Sequence, residues 1–490
     1  MRKSLALTLL LFVSAQLSSA ASLDRVIDKA IRRTMAAYAI PGLSIAVVQD
    51  DRVIFERAYG VRELGKSDPV TVNTLFELGS TSKAFTTAAM AALVDEGKMK
   101  WDDPVRNYLP YFRLSDPCAD SSVTLRDIVS HRTGLSRHDE LWEATDWSRG
   151  DLIRAAGFLT LSKPIRSAYQ YNNIMFVAAG EAVAGAANMP WGEFLQARIF
   201  EPLGMSRSAT SLAQWSAVEH ATGHEWNSKS RQATVRKMID YAQIAPAGTV
   251  KSTAHDMGRW LRFQLSDGSI DGRRIVGAAA LAETKKPQTI IPLQGTTKDV
   301  YPETNIMTYA LGWNVQDYRG ELLVAHAGVL NGFRSNVALL PARKVGLAIM
   351  ENVGRGYALF SLRNTILDEV LKNHSRDWIA YYLEFERKSD ASDEKKKIDL
   401  AAIQPKTTPA DFTLYVGTYN HPAYGDATIS LDSGSLVLHW QQLKTPLLAQ
   451  GPDSFHATED EVDVDEDVLF ERTAAGITSM TIFDQKFTRK

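Results

Sequence analysis

Ser80 and Lys83 stand three residues apart in "LFELGSTSKAFTTAAMAALVDEG", residues 75–97. A serine hydroxyl is a weak nucleophile until a base takes its proton, and an amine one helical turn along lies on the same face to do so. The same spacing also fits an N-cap serine opening an alanine-rich helix, with an ordinary surface lysine beyond it. A second S-x-x-K, Ser392 to Lys395, lies in a charged stretch with no glycine before it and no apolar helix around it. It is read as chance. Two further groups decide for chemistry at the first copy. "AYQYNNIMF" carries Tyr171 and Asn173. A phenol near cations can relay a proton, and an amide can orient a substrate carbonyl. The alternative there is a buried tyrosine followed by a turn-forming asparagine pair. "AHAGVLNGFRS" carries His326 and Gly328 on a strand-like run, where a missing side chain would let a substrate backbone approach the strand edge.

The elements that must hold these residues mix helix and strand. Apolar spacing predicts a helix over "SLDRVIDKAIRRTMAAYAI", with Ser22 as its cap. "GLSIAVVQDDRVIFERAYG" reads as a β-hairpin turning at "QDDR". Helices are expected at the Ser80 segment, "TLRDIVSHRTGL", "NIMFVAAGEAVAGAAN", "WGEFLQARIFEPLGM" and "TAHDMGRWLRFQLSDG". Three β-rich runs follow in "ELLVAHAGVLNGFRSNVALLPARKVGLAIMENVG", and "LFSLRNTILDEVLKNH" returns to helix. Strands at both ends of a helical middle predict an α+β fold: one antiparallel sheet built from both chain ends and flanked by helices. After Glu384 the chain becomes charged and then proline-containing, which reads as a linker, residues 385–408, partly helical at most. Short alternating runs over 409–490 predict a small antiparallel all-β barrel or curved sheet. The acidic "EDEVDVDED" lacks the glycine and spacing of a calcium loop and reads as a solvated turn.

The three motifs occur in the order S-x-x-K, Y-x-N, H-x-G, accompanied by "IVSHRTGL", "EPLGM", "PAGTVKSTAHDM" and "YALGW". In this the chain resembles the penicillin-recognising serine hydrolases, which include class C β-lactamases, D-alanyl-D-alanine carboxypeptidases, D-aminopeptidases, carboxylesterases and some acyltransferases. The resemblance covers about residues 23–374. It implies that Ser80 attacks an acyl carbonyl while Lys83 and Tyr171 accept its proton and return it to the leaving group. It implies that Asn173 positions the substrate and that the backbone N–H groups of Ser80 and Val329 form an oxyanion hole. His326 is implied to bind the leaving-group side or to support Tyr171. Class C β-lactamases carry Lys where this chain has His326, which fits the peptidase and general-hydrolase branches better. The terminal segment resembles the lipocalin-like β-domain attached to some of these hydrolases, where it covers the site or narrows access.

Composition bounds the rest. The 490 residues carry a net charge of −2, which offers no electrostatic footprint for nucleic acid. "RK", then "LALTLLLFV", then small residues up to Ala20 read as a cleaved signal peptide, so the mature chain is expected to be secreted or periplasmic, without stable membrane insertion. The single cysteine, Cys118, cannot close an intrachain disulfide, so an exported chain must rely on its core. The histidines show no metal spacing and no glycine-rich phosphate loop is present, so no metal or cofactor is expected. The expected partner is a small ester, amide or peptide substrate. Transfer to an alcohol or amine acceptor, or a covalent receptor without turnover, remains the alternative. The sequence implies no particular oligomeric state.

Overall fold

The computed structural model describes residues 23–401, 409–459 and 464–490; the expected signal peptide and its Ser22 cap lie outside them. The chain divides into two compact units, residues 1–100 with 186–388 and residues 101–185 with 389–490.

The first unit is built on an eight-stranded antiparallel sheet. Its strands are β1 (Gly42–Gln49), β2 (Arg52–Gly60), β3 (Thr289–Ile290), β4 (Met307–Tyr309), β5 (Asn314–Tyr318), β6 (Glu321–Leu330), β7 (Phe333–Leu340) and β8 (Val345–Glu351). Their spatial order is β2-β1-β8-β7-β6-β5-β4-β3, so both chain ends meet at the β1–β8 pair, as the strand pattern predicts. The β1–β2 turn puts Asp50 and Asp51 at positive φ, and Asn331 and Gly332 do the same between β6 and β7, the two-residue hairpin geometry that suits twisted strands. The three short strands before β6 carry too few residues to show a period of two, and they escape a sequence reading.

Helices cover both sheet faces, which explains why β1 and β8 are buried almost throughout instead of alternating. On one face, helix α1 (residues 23–38) packs Ile27, Ile31 and Tyr38 into a core with Leu43, Ile45, Leu347 and Ile349. Helix α2 (Ser82–Asp95) is buried from Ser82 to Leu93, and its small residues let neighbours approach from every side. Phe85 of α2 stacks at 3.8 Å on Trp260 of α4, defined below. Helix α3 (Asn173–Ala187) begins in the second unit. Helix α4 (Ala254–Leu265) is capped by Thr253, whose side chain accepts from Asp256 N. Helix α5 (Ala358–Leu371) supplies Leu362 and Ile366 to the first-named core.

Helix α6 (Trp378–Ala401) runs through the segment expected to begin a linker at 385. Its charged residues have good helix propensity and its first turns are anchored by Trp378 and Tyr382 in the core, so the helix continues where burial stops. Ser392 lies on this helix, while the side chain of Lys395 is outside the described residues.

The second unit holds residues 101–185, with short helices, and a closed eight-stranded barrel. The barrel strands are β9 (Gly417–His421), β10 (Gly425–Asp432), β11 (Ser435–Trp440), β12 (Leu443–Gly451), β13 (Ser454–Glu459), β14 (Val464–Thr473), β15 (Gly476–Ile482) and β16 (Gln485–Arg489). Closure through the β9–β16 pair removes both sheet edges. The acidic stretch is not a simple turn: its residues from Val464 lie in β14, with Asp465 and Asp467 each 2.9 Å from a ring nitrogen of His456. Residues 460–463 of that stretch are outside the described residues. Among the described residues, no helix is long and apolar enough to cross a membrane, and no group of three His, Cys, Asp or Glu could hold a metal ion.

Candidate active site

Ser80 sits in a 3-10 turn, Gly79–Thr81, one turn before α2 begins at Ser82. It does not cap the helix. The Ncap residue is Thr81, and no side-chain capping bond is made there. Lys83 is 0% exposed, which removes the reading of a surface lysine. Its Nζ lies 3.0 Å from Ser80 Oγ and donates to Ala247 O at 2.9 Å. A buried amine needs such partners, and these two aim it at the serine. Ser80 itself stays partly exposed, so a substrate can reach it.

The strand β6 explains how the turn is held. Pairing with β5 ends at Asn314↔Ala325, while pairing with β7 continues to Leu330↔Phe333. Residues 326–330 therefore present one open edge, and the Leu78–Ser80 turn lies against it. A Cβ on Gly328 would overlap Leu78 O, and one on Gly79 would overlap Val329 N. Gly328 is thus required by the close approach of the Ser80 turn. Ser335 Oγ donates to Leu78 O at 2.6 Å and lies 3.1 Å from Thr81 Oγ1. The turn is thereby pinned to β7, with Val329 N beside Gly79, one residue before Ser80.

His326 is buried, and both ring nitrogens are engaged: Nδ1 with Ala327 O at 2.7 Å and Nε2 with Tyr309 OH at 3.0 Å. The carbonyl can only accept, so Nδ1 carries the proton and Nε2 accepts from the tyrosine. Burial, with the nearby Lys83 charge, pushes the imidazole down to about 3, so it is neutral. Tyr309 opens the "YALGW" segment, to which sequence reasoning assigned no role.

A buried ion pair underlies the same turn. Glu77 and Lys251 face each other across a short two-stranded pairing, Phe76–Glu77 with Lys251–Ser252, and Lys251 Nζ is 3.1 Å from Glu77 Oε1. Asn331 Nδ2 donates to Glu77 Oε2 at 2.9 Å. Burial raises the Glu77 carboxyl and Lys251 opposes it. Glu77 and Lys251 lie inside the segments "FELGSTSKAFT" and "PAGTVKSTAHDM", but sequence reasoning assigned them no role.

Tyr171 and Asn173 belong to the second unit, at the start of α3. Asn172 is the capping residue: its Oδ1 accepts from Met175 N at 2.9 Å, and its amide donates to the Ser136 and Arg137 carbonyls. Its backbone N–H donates to His131 Nδ1 at 3.1 Å. Asn173 Nδ2 donates to Asp139 Oδ1 at 2.9 Å. The Arg137 guanidinium lies 5.0 Å from the centre of the Tyr171 ring, and the His131 ring 4.2 Å from it. The expected helix at "TLRDIVSHRTGL" shrinks to Leu125–Val129, because His131 takes a positive φ. The remainder forms the loop beneath Tyr171, organised by the buried Asp127 carboxylate, which accepts from Arg132 Nε at 2.6 Å and Arg166 Nη2 at 2.7 Å. The first unit thus brings together Ser80, Lys83, His326, Gly328 and Val329, and the second brings together Tyr171 and Asn173.

A β-lactamase family model matches residues 27–372. The chain belongs to the β-lactamase family. A second model, of a domain of unknown function, matches residues 401–490. Among relatives of this β-lactamase-family chain, the unguisins hydrolase ungD′ of Aspergillus campestris is 30% identical over 437 residues, 85% of this chain and 79% of that protein. Protein flp of Staphylococcus aureus is 22% identical over 361 residues, covering 71% of this chain and 67% of that protein. The octameric penicillin-binding protein homologue from Pyrococcus abyssi has the same fold, with a TM-score of 0.63 at 18% identity over 94% of this chain and 99% of that one. Family and relatives make this β-lactamase-family protein a serine hydrolase.

Proposed function

We propose that the protein is an exported hydrolase that cleaves an ester or amide bond, including that of a D-residue-containing peptide, through an acyl-enzyme on Ser80. The observation that carries this reading is the buried Lys83 amine 3.0 Å from Ser80 Oγ. Lys83 takes the Ser80 proton as Oγ bonds to the carbonyl carbon. The oxyanion is met by the N–H groups of Ser80 and Val329. Collapse breaks the bond to the leaving group, and the Lys83–Tyr171 pair returns the proton to it. Water then attacks the acyl carbon and frees Ser80. Asn173 orients the substrate carbonyl. His326, neutral and engaged at both nitrogens, serves as a rigid neutral wall and not as a charge for a carboxylate. The relative named for hydrolysing unguisins supports an amide or ester substrate over a binding role.

The test follows product release and intact protein mass together, using a chromogenic short-chain ester and a D-alanyl amide, for wild type and Ser80→Ala. Release by wild type that vanishes in Ser80→Ala is the expected result. Equal release by the variant overturns the reading. An adduct on wild type that leaves only when an alcohol or amine is added identifies a transferase instead.

A further inference from the structure

In the second unit, one loop faces two ways. Arg137 and Asp139 serve Tyr171 and Asn173, as described, and Arg137 Nε also donates to Asp139 Oδ2 at 2.6 Å. The alternate residues, His138 and Glu140, turn to the barrel. His138 has φ +50, a conformation that is strained for a side-chain-bearing residue and persists only where surroundings impose it. The surroundings here are specific. His138 is buried, with Nδ1 2.8 Å from the hydroxyl of Tyr424 and Nε2 3.0 Å from Ser136 Oγ. The same hydroxyl lies 3.4 Å from Glu140 Oε2. Tyr424 cannot follow the loop if the loop moves. Its carbonyl accepts from Trp440 Nε1 at 2.8 Å, and its ring packs against Trp440, Phe483 and Phe487. A second attachment lies just beyond: Gln442 N donates to Ala144 O at 3.1 Å, and Gln442 Nε2 to Asp146 Oδ1 at 2.6 Å.

We infer that Tyr424, a residue of the barrel, is a positioning residue for hydrolysis: its hydroxyl fixes His138, and through it the Arg137–Asp139 pair that orients Tyr171 and Asn173. This rests on the Ser80 hydrolase reading.

The proton inventory agrees with the geometry. Burial pushes Glu140 up to about 7 and His138 down to about 4. Asp139, Glu466 and Asp484 are the acidic groups that face this pair, and His421 is the other basic one. Tyr424 donates to Glu140 Oε2, so His138 Nδ1–H donates to the Tyr424 oxygen and Nε2 accepts from Ser136 Oγ. Every donor has an acceptor.

The test uses the full chain and the chromogenic ester, comparing wild type, Ser80→Ala, Tyr424→Phe, Glu140→Gln, Asn173→Ala and the Tyr424→Phe/Asn173→Ala double variant. Tyr424→Phe keeps the ring, so folding is preserved and checked by thermal melting. Its kcat should fall about tenfold, the worth of one buried hydrogen bond. The double variant should be little slower than Asn173→Ala alone, because both losses travel through Asp139. Glu140→Gln, which replaces the carboxyl that accepts from the Tyr424 hydroxyl, should lower kcat in the same direction as Tyr424→Phe and by less. Wild-type kcat, KM and pH profile in Tyr424→Phe, or fully multiplicative losses in the double variant, would overturn the inference. Unchanged hydrolysis by Ser80→Ala would sink the hydrolase reading instead, and so separates the two failures.

Discussion

At the scale of single residues, a turn of 3-10 helix leaves Ser80 partly exposed beside a buried amine. Lys83 is buried, and its amine reaches Ser80 Oγ and Ala247 O. Lys83→Met should retain the fold, since the site is apolar around the stem, yet lower kcat/KM by about a thousandfold or more, as loss of one member of a coupled catalytic unit does. Steady-state kinetics against circular dichroism separates the two effects. S-x-x-K was legible in the sequence because its spacing is local. The segment "YALGW" that begins at Tyr309 was legible but the role of Tyr309 was not, because its hydrogen bond to His326 exists only once β4 and β6 are in one sheet.

At the scale of elements, the Ser80 turn and the open half of β6 are fitted backbone to backbone. Gly328→Ala places a methyl where Leu78 O lies, and displacing the turn by an ångström should cost about a hundredfold in kcat with little change in secondary structure. Normal kinetics in that variant would contradict the close approach. The Glu77–Lys251 pair holds the strand leading into the turn. Lys251→Met leaves a buried carboxyl without its cation and should destabilise the first unit by about 3–5 kcal/mol, whereas Lys251→Met with Glu77→Gln should recover much of the loss. Urea unfolding monitored by tryptophan fluorescence reads both.

At the scale of the whole molecule, the pH dependence of stability has two opposing sources. His326 binds a proton more readily unfolded, at its ordinary 6.5, than folded, at about 3. Stability therefore falls as pH drops through that window, by at most about 1.4 kcal/mol per pH unit. His138, pushed down to about 4, acts in the same sense. Glu140 acts in the other: its folded value is about 7 against an ordinary 4.5, so its contribution is full below 4.5 and is lost as pH rises through 7. Chemical denaturation from pH 3 to 8 should show a maximum between these limits, and Glu140→Gln should flatten its alkaline side. The barrel contributes a separate core. Tyr415, Tyr419, Phe455 and Phe470 form one aromatic group, and Tyr424, Trp440, Phe483 and Phe487 another. Trp440→Ala should destabilise the barrel by about 3–5 kcal/mol, visible as an earlier transition in calorimetry.

The sequence by itself determined the α+β class, the sheet shared by both chain ends, the all-β terminal module and the order of the three motifs. These follow from period, turn residues and short-range spacing, which are properties of a few consecutive residues. Tertiary structure alone decided that Lys83 is buried, that Gly328 is required by Leu78 O, that His326 is neutral and engaged on both sides, and that Tyr424 meets His138. Each of these depends on desolvation or on contact between residues tens to hundreds of positions apart. Burial and long-range approach are set by packing and leave no local pattern to read.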